Sequence, residues 1–91
     1  MLLKRFADKD MTRRSLALRD LQNEDFTNSN LTGANFSSAN LSGADFTGAN
    51  LSHAVLRKAV LRNTNLSAVD FQYAVLEGAD LKRADLTGAY L

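Results

Sequence analysis

Residues 34–48 read Ala34-Asn35-Phe36-Ser37-Ser38, Ala39-Asn40-Leu41-Ser42-Gly43, Ala44-Asp45-Phe46-Thr47-Gly48, one five-residue phrase written three times. A small residue opens each phrase, Asn or Asp follows, then Phe or Leu, then Ser or Thr. Outward from this stretch, Leu or Phe recurs at an unbroken spacing of five from Leu21 to Leu91, fifteen times, and appears nowhere else in that segment. Two residues before most of these sits a small residue, with Ser29, Thr64 and Val69 as variants. Arg19 and Glu24, before the first two copies, are large and charged. All five glycines fall two residues after the large apolar one.

A period of five fits neither regular element alone. On a helix a step of five rotates by about 140°, so the Leu/Phe set would wind around the whole surface. On a flat strand an odd period sends successive members to opposite faces. Within one phrase, however, Ala and Leu are two apart and share a side of a strand. The remaining three-residue step keeps them inward only if the chain turns a corner where the Ser/Thr and Gly/Asn types collect. Four such corners close a coil of about 20 residues, and coils stack at the strand spacing of roughly 4.8 Å. Gly fits the positive-φ position of a type II corner. His53, Lys58, Ala68, Tyr73 and Arg83 share that position, and left-handed backbone is costly for them. The expectation is therefore a tube of mixed corner types.

The phrase resembles the motif of the pentapeptide repeat family, A(D/N)LXX, as in Ala44-Asp45-Phe46-Thr47-Gly48 and Ala79-Asp80-Leu81-Lys82-Arg83, over about residues 19–91. The resemblance implies an all-β fold, a right-handed quadrilateral parallel β-helix of just under four coils. Right-handedness also follows the general rule for parallel crossovers. Residues 1–18 depart from the motif, because Lys4, Lys9 and Arg14 stand at the small position. Leu2, Leu3, Phe6, Ala7 and Met11 approximate a helical stripe, so 1–18 is expected to be a short helical cap and 19–91 the β-helix. A membrane-surface helix is the sharper reading of a segment with net charge +3, but Asp8 and Asp10 interrupt the stripe. Inward Leu91 beside Ala89 and Tyr90 leads to the expectation that two copies pair at the C-terminal end, the alternative being a piece of a longer array.

Composition narrows the chemistry. The 91 residues have a formal charge of +1, one histidine and no cysteine, proline or tryptophan. No run suits a signal peptide or a spanning helix, and the expected location is cytoplasmic. His53 is a solvated corner residue rather than a catalytic group or ligand. Asp25, Asp45 and Asp85 stack on one wall as ordinary motif residues, expected to form hydrogen-bonded ladders. No phosphate-binding glycine loop occurs. The reading is of no enzyme, cofactor, metal or small-molecule substrate.

Stacking by 20 exposes one departure from polar walls. Val55 lies over Val75 at outward positions, Val60 is outward on the next wall, His53 stacks with Tyr73, and Arg57 with Glu77. Lys58, Arg62, Lys82 and Arg83 complete a candidate partner-binding patch of apolar residues rimmed by cations. The expected function is a non-catalytic protein-protein interaction or scaffold module. The resemblance offers an alternative, since some long family members mimic DNA and bind DNA gyrase. The repeat segment carries only −2 on a short tube and suits that poorly. Direct nucleic-acid binding lacks any motif, with Phe26, Phe36, Phe46 and Phe71 turned inward.

Overall fold

The computed structural model describes residues 5–91. Thirteen parallel bridges join residues 20 apart, from Asp10 with Asn30 to Asp70 with Tyr90. They fall into four columns, which define four walls. The first holds Asp10, Asn30, Asn50, Asp70 and Tyr90; the second Ser15, Asn35, Val55 and Val75. The third holds Asp20, Asn40, Val60 and Asp80; the fourth Asp25, Asp45, Asn65 and Asp85. The column from Asp10 to Tyr90 takes four 20-residue steps, so the tube is slightly longer than the reading from residue 19 allowed.

The large apolar residues fill the tube. Phe26, Phe36, Phe46 and the leucines from Leu31 to Leu66 are wholly buried, with Ala34, Ala39, Ala44, Ala49, Ala54 and Ala59 between them. The Phe26 and Phe46 rings stack with centroids 4.8 Å apart, and Phe36 meets both edge-on at 5.6 and 6.0 Å. Alternating small and large side chains lets a narrow interior reach crystal-like density. Buried Ser29 and Thr64 return their hydroxyls to the carbonyls of Phe26 and Leu61, each at 2.7 Å.

The corners differ from the expected mixture. Every described residue two past the large apolar one has φ between 56° and 73°, twelve of them not glycine. Positive φ at this one position, with a bond across the turn such as Ala39 N–H to the Phe36 carbonyl at 3.0 Å, is a type II turn. The cause lies between coils. The corner N–H of His53 donates to the Gln72 carbonyl at 2.9 Å, and that of Lys58 to Glu77 at 3.0 Å. The corner peptide thus points its N–H up the tube and its carbonyl down. A type I corner turns that peptide over, setting donor against donor in its column. Each orphaned group would cost about 1–3 kcal/mol, at least the left-handed strain of about 1–2 kcal/mol that it would relieve. Uniform corners win, and scarcity of glycine is tolerated rather than avoided.

The helical cap is also corrected. Residues 5–18 carry the same turns and bridges as the rest, with Asp8, Arg13 and Leu18 at left-handed corners. Asp10 and Ser15 bridge Asn30 and Asn35, so no boundary falls at residue 19. Met11 and Leu16 are buried, and Phe6 stacks on Phe26 at 5.0 Å. Phe6, Met11 and Leu16 extend the five-residue period; the helical stripe was a coincidence of spacing. Lys9, Arg14 and Arg19 hold the small-residue columns in this first coil, where their side chains remain exposed. Glu24, in the fourth such column, pairs with Arg5, whose guanidinium lies 4.8 Å from the Phe6 ring centroid. Leu2, Leu3 and Lys4 lie outside the described residues.

Candidate interaction surface

The second and third walls are where the outward positions stop being polar. Val55 bridges Asn35 on one side and Val75 on the other, and Val60 lies between Asn40 and Asp80. All three valines are half-buried. At the corner leading into the second wall, the His53 and Tyr73 rings stack with centroids 4.9 Å apart and planes 19° apart. Tyr73 remains 78% exposed.

Charges rim this surface. Arg57 Nε approaches Glu77 Oε1 at 3.4 Å, the pairing expected from the 20-residue register. Arg62 instead reaches across to Asp80, Nε to Oδ2 at 2.5 Å. That hydrogen bond, with the Lys82 backbone N–H, holds the Asp80 carboxyl below the usual carboxylate range. Arg83 donates from Nε to Asn63 Oδ1 at 3.0 Å, a contact the sequence reading missed. Lys58 and Lys82 are exposed and form no ion pair among the described residues. All ten residues of the candidate patch thus lie on these two walls and their corners.

The first and fourth walls are chemically different. Asp45 accepts from the Thr47 N–H at 2.9 Å and from its hydroxyl at 2.5 Å. Asp10 with Thr12, Asn30 with Thr32, and Asp85 with Thr87 repeat this two-residue loop, which Asn35 with Ser37 also makes on the second wall. The outward Asx residues therefore bond within their own repeat, not up the column as expected. The Asp10 and Asp85 carboxyls are lowered by these hydroxyl and backbone donors. No group of three or more His, Cys, Asp or Glu among the described residues is placed to hold a metal ion. No helix among them is long and apolar enough to cross a membrane. At the far end Tyr90 and Leu91 are exposed, and a shallow hollow of about 320 Å³ lies among Gln72, Tyr73, Tyr90 and Leu91.

A tube with four corners every 20 residues, one Leu, Phe or Met behind each corner and Asx–hydroxyl loops on its walls, is a parallel β-solenoid built from five-residue units. The chain belongs to the pentapeptide repeat family: eight copies of that family's repeat match residues 19–48 and 49–88. Proteins of this family fold as right-handed quadrilateral β-helices. A pentapeptide repeat protein of the Arabidopsis thaliana thylakoid lumen is 36% identical, over 89% of this chain and 60% of its own, with a TM-score of 0.49. One from Nostoc PCC 7120 is 38% identical, over 77% of this chain and 62% of its own, with a TM-score of 0.50. The plasmid-mediated fluoroquinolone resistance protein QnrB1 is 24% identical over 88% of this chain and 52% of its own; its TM-score of 0.55 speaks to fold alone. The chain thus spans about 60% of the length of the first two relatives. No curated protein matches it.

Proposed function

We propose that this chain is a non-catalytic interaction module that offers its second and third walls to a protein partner. The observation that carries this is the Val55–Val75 pair beside the His53–Tyr73 stack, the one place among the described bridges where two apolar residues meet on an outer wall. Aromatic and apolar residues fringed by Arg and Lys are the composition of contact surfaces. A rigid ladder also lowers the ordering cost of binding, since the displayed side chains are already fixed. The test compares proteins retained from the source lysate by wild type and by a Val55→Asp/Val75→Asp variant. A partner held by the first and lost by the second supports the module. Equal recovery, with circular dichroism showing both folded, removes it.

Association of two copies through Ala89, Tyr90 and Leu91 is part of the same proposal. Its support is the exposed apolar surface of Leu86, Tyr90 and Leu91 at that end. Light scattering that finds only monomer at tens of micromolar would count against it.

A further inference from the structure

The charge on the tube is two-sided. From residue 25 onward all five cations sit on the second and third walls and their corners, beside Glu77 and Asp80, for a net +3. The first and fourth walls of the same segment carry Asp25, Asp45, Asp70 and Asp85 and no cation. Two of the cations are spoken for, because Arg57 faces Glu77 and Arg62 holds Asp80. Lys58, Lys82 and Arg83 form no ion pair among the described residues, although the charge of Lys82 helps to lower the Asp80 carboxyl. Lys58 stands at the corner between the wall of Val55 and Val75 and the wall of Val60, and Lys82 and Arg83 stand at the corner that closes the wall of Val60.

We infer that the partner segment docked on this face is an acidic polypeptide with apolar anchors. The inference rests on the interaction-module reading and specifies its partner. Aliphatic or aromatic side chains would cover Val55, Val75 and the exposed ring of Tyr73. Carboxylates beside these anchors would meet Lys58 at the near corner, and others further along would meet Lys82 and Arg83 at the next. The face is poorly made for a nucleic-acid backbone: Glu77 and Asp80 lie within it, and the valine pair offers a phosphate nothing. A basic segment would meet a face with a net charge of +3, three of whose cations form no ion pair among the described residues. Opposite-signed patches also guide encounter and set orientation, an effect that salt screens over about 8–10 Å.

The test selects binders from a random twelve-residue peptide library displayed on phage, using the full chain as bait. Enriched sequences are then synthesised and measured by fluorescence anisotropy. The expected binders combine Asp or Glu with Leu, Phe or Tyr. They weaken at least tenfold on Val75→Asp, at least tenfold on Lys58→Glu/Lys82→Glu, and several-fold between 50 and 500 mM salt (on the order expected for a few exposed ion pairs). A Val55→Thr/Val75→Thr variant, nearly isosteric, guards against loss of fold and should weaken binding without moving the melting curve. Binders lost on Val75→Asp but free of acidic residues would overturn the partner chemistry while leaving the face in place. Binders indifferent to Val75→Asp would overturn the face itself. Tighter binding of a 20-base-pair duplex than of any selected peptide would overturn the inference in favour of nucleic acid.

Discussion

The imidazole of His53 lies against the phenol ring of Tyr73, centroids 4.9 Å apart, although both residues are held at φ near +60°. A left-handed corner turns its side chain out to the tube edge, where the next coil places another directly above. The strain belongs to the ladder, and the stack is what that strain displays.

Corner strain can be relieved where nothing is displayed. Leu18 has φ of 64° and is 80% exposed, so it loses little by truncation. Leu18→Gly should raise stability by about 0.5–1 kcal/mol, the left-handed penalty less the added chain entropy of glycine. A urea titration reads this as a higher midpoint at unchanged slope. A lower midpoint would mean Leu18 makes contacts its exposure conceals.

Two glycines at the same corner position should differ when replaced. Gly43 and Gly88 have φ of +73° and +69°, so alanine strains both. A Cβ at Gly88 would meet only Ala68 backbone at 3.8 Å, whereas one at Gly43 would overlap Asn23 Oδ1. Gly43→Ala should therefore cost more than Gly88→Ala by what it takes to swing the exposed Asn23 amide aside, on the order of 0.5 kcal/mol. Asn23→Gly should recover that excess, a coupling that a double-mutant cycle measures directly.

The first coil should prove as much a part of the core as the middle. Leu16 is as buried as Leu51. Leu16→Ala and Leu51→Ala should each cost about 2–5 kcal/mol. If Leu16→Ala were nearly silent in thermal melts while Leu51→Ala was severe, the N-terminal segment would be a loosely attached lid after all.

Acid should weaken the tube in a defined window. The Asp10, Asp80 and Asp85 carboxyls titrate below their ordinary value of 3.8 when folded. A lowered folded pKa gives stability that is full above the unfolded value and lost as pH falls through the folded one. The melting temperature should be level above about pH 5 and drop below about pH 4. Asp85→Asn keeps an oxygen that can accept from the Thr87 N–H but removes the titration, so it should flatten part of that fall. An unchanged acid limb would mean that Asp85 contributes nothing to it.

What was legible in the sequence was whatever repeats. Fifteen Leu or Phe at spacing five dictate inward columns, and the 20-residue coil follows once each corner is taken as a right angle, as the bridges show it to be. The wall positions of Val55, Val60 and Val75, and the stacking of His53 on Tyr73, follow by counting in twenties. Phe6, Met11 and Leu16 were harder to read, since Lys9 and Arg14 hide the small position that marks a repeat elsewhere. Counting in twenties puts Arg62 in the column of Lys82, yet its long side chain reaches diagonally to Asp80, a choice no column count contains.

The sequence by itself determined the period, the register and the identity of the core, because burial of one large residue per five is a local pattern repeated until it becomes a shape. Only the tertiary structure decided the corners. A residue such as Lys58 or Tyr73 would avoid left-handed backbone on its own, but its peptide must donate to the coil above and accept from the coil below. Orientation is therefore fixed for a whole column at once, and the hydrogen-bond ladder outweighs the preference of any residue in it.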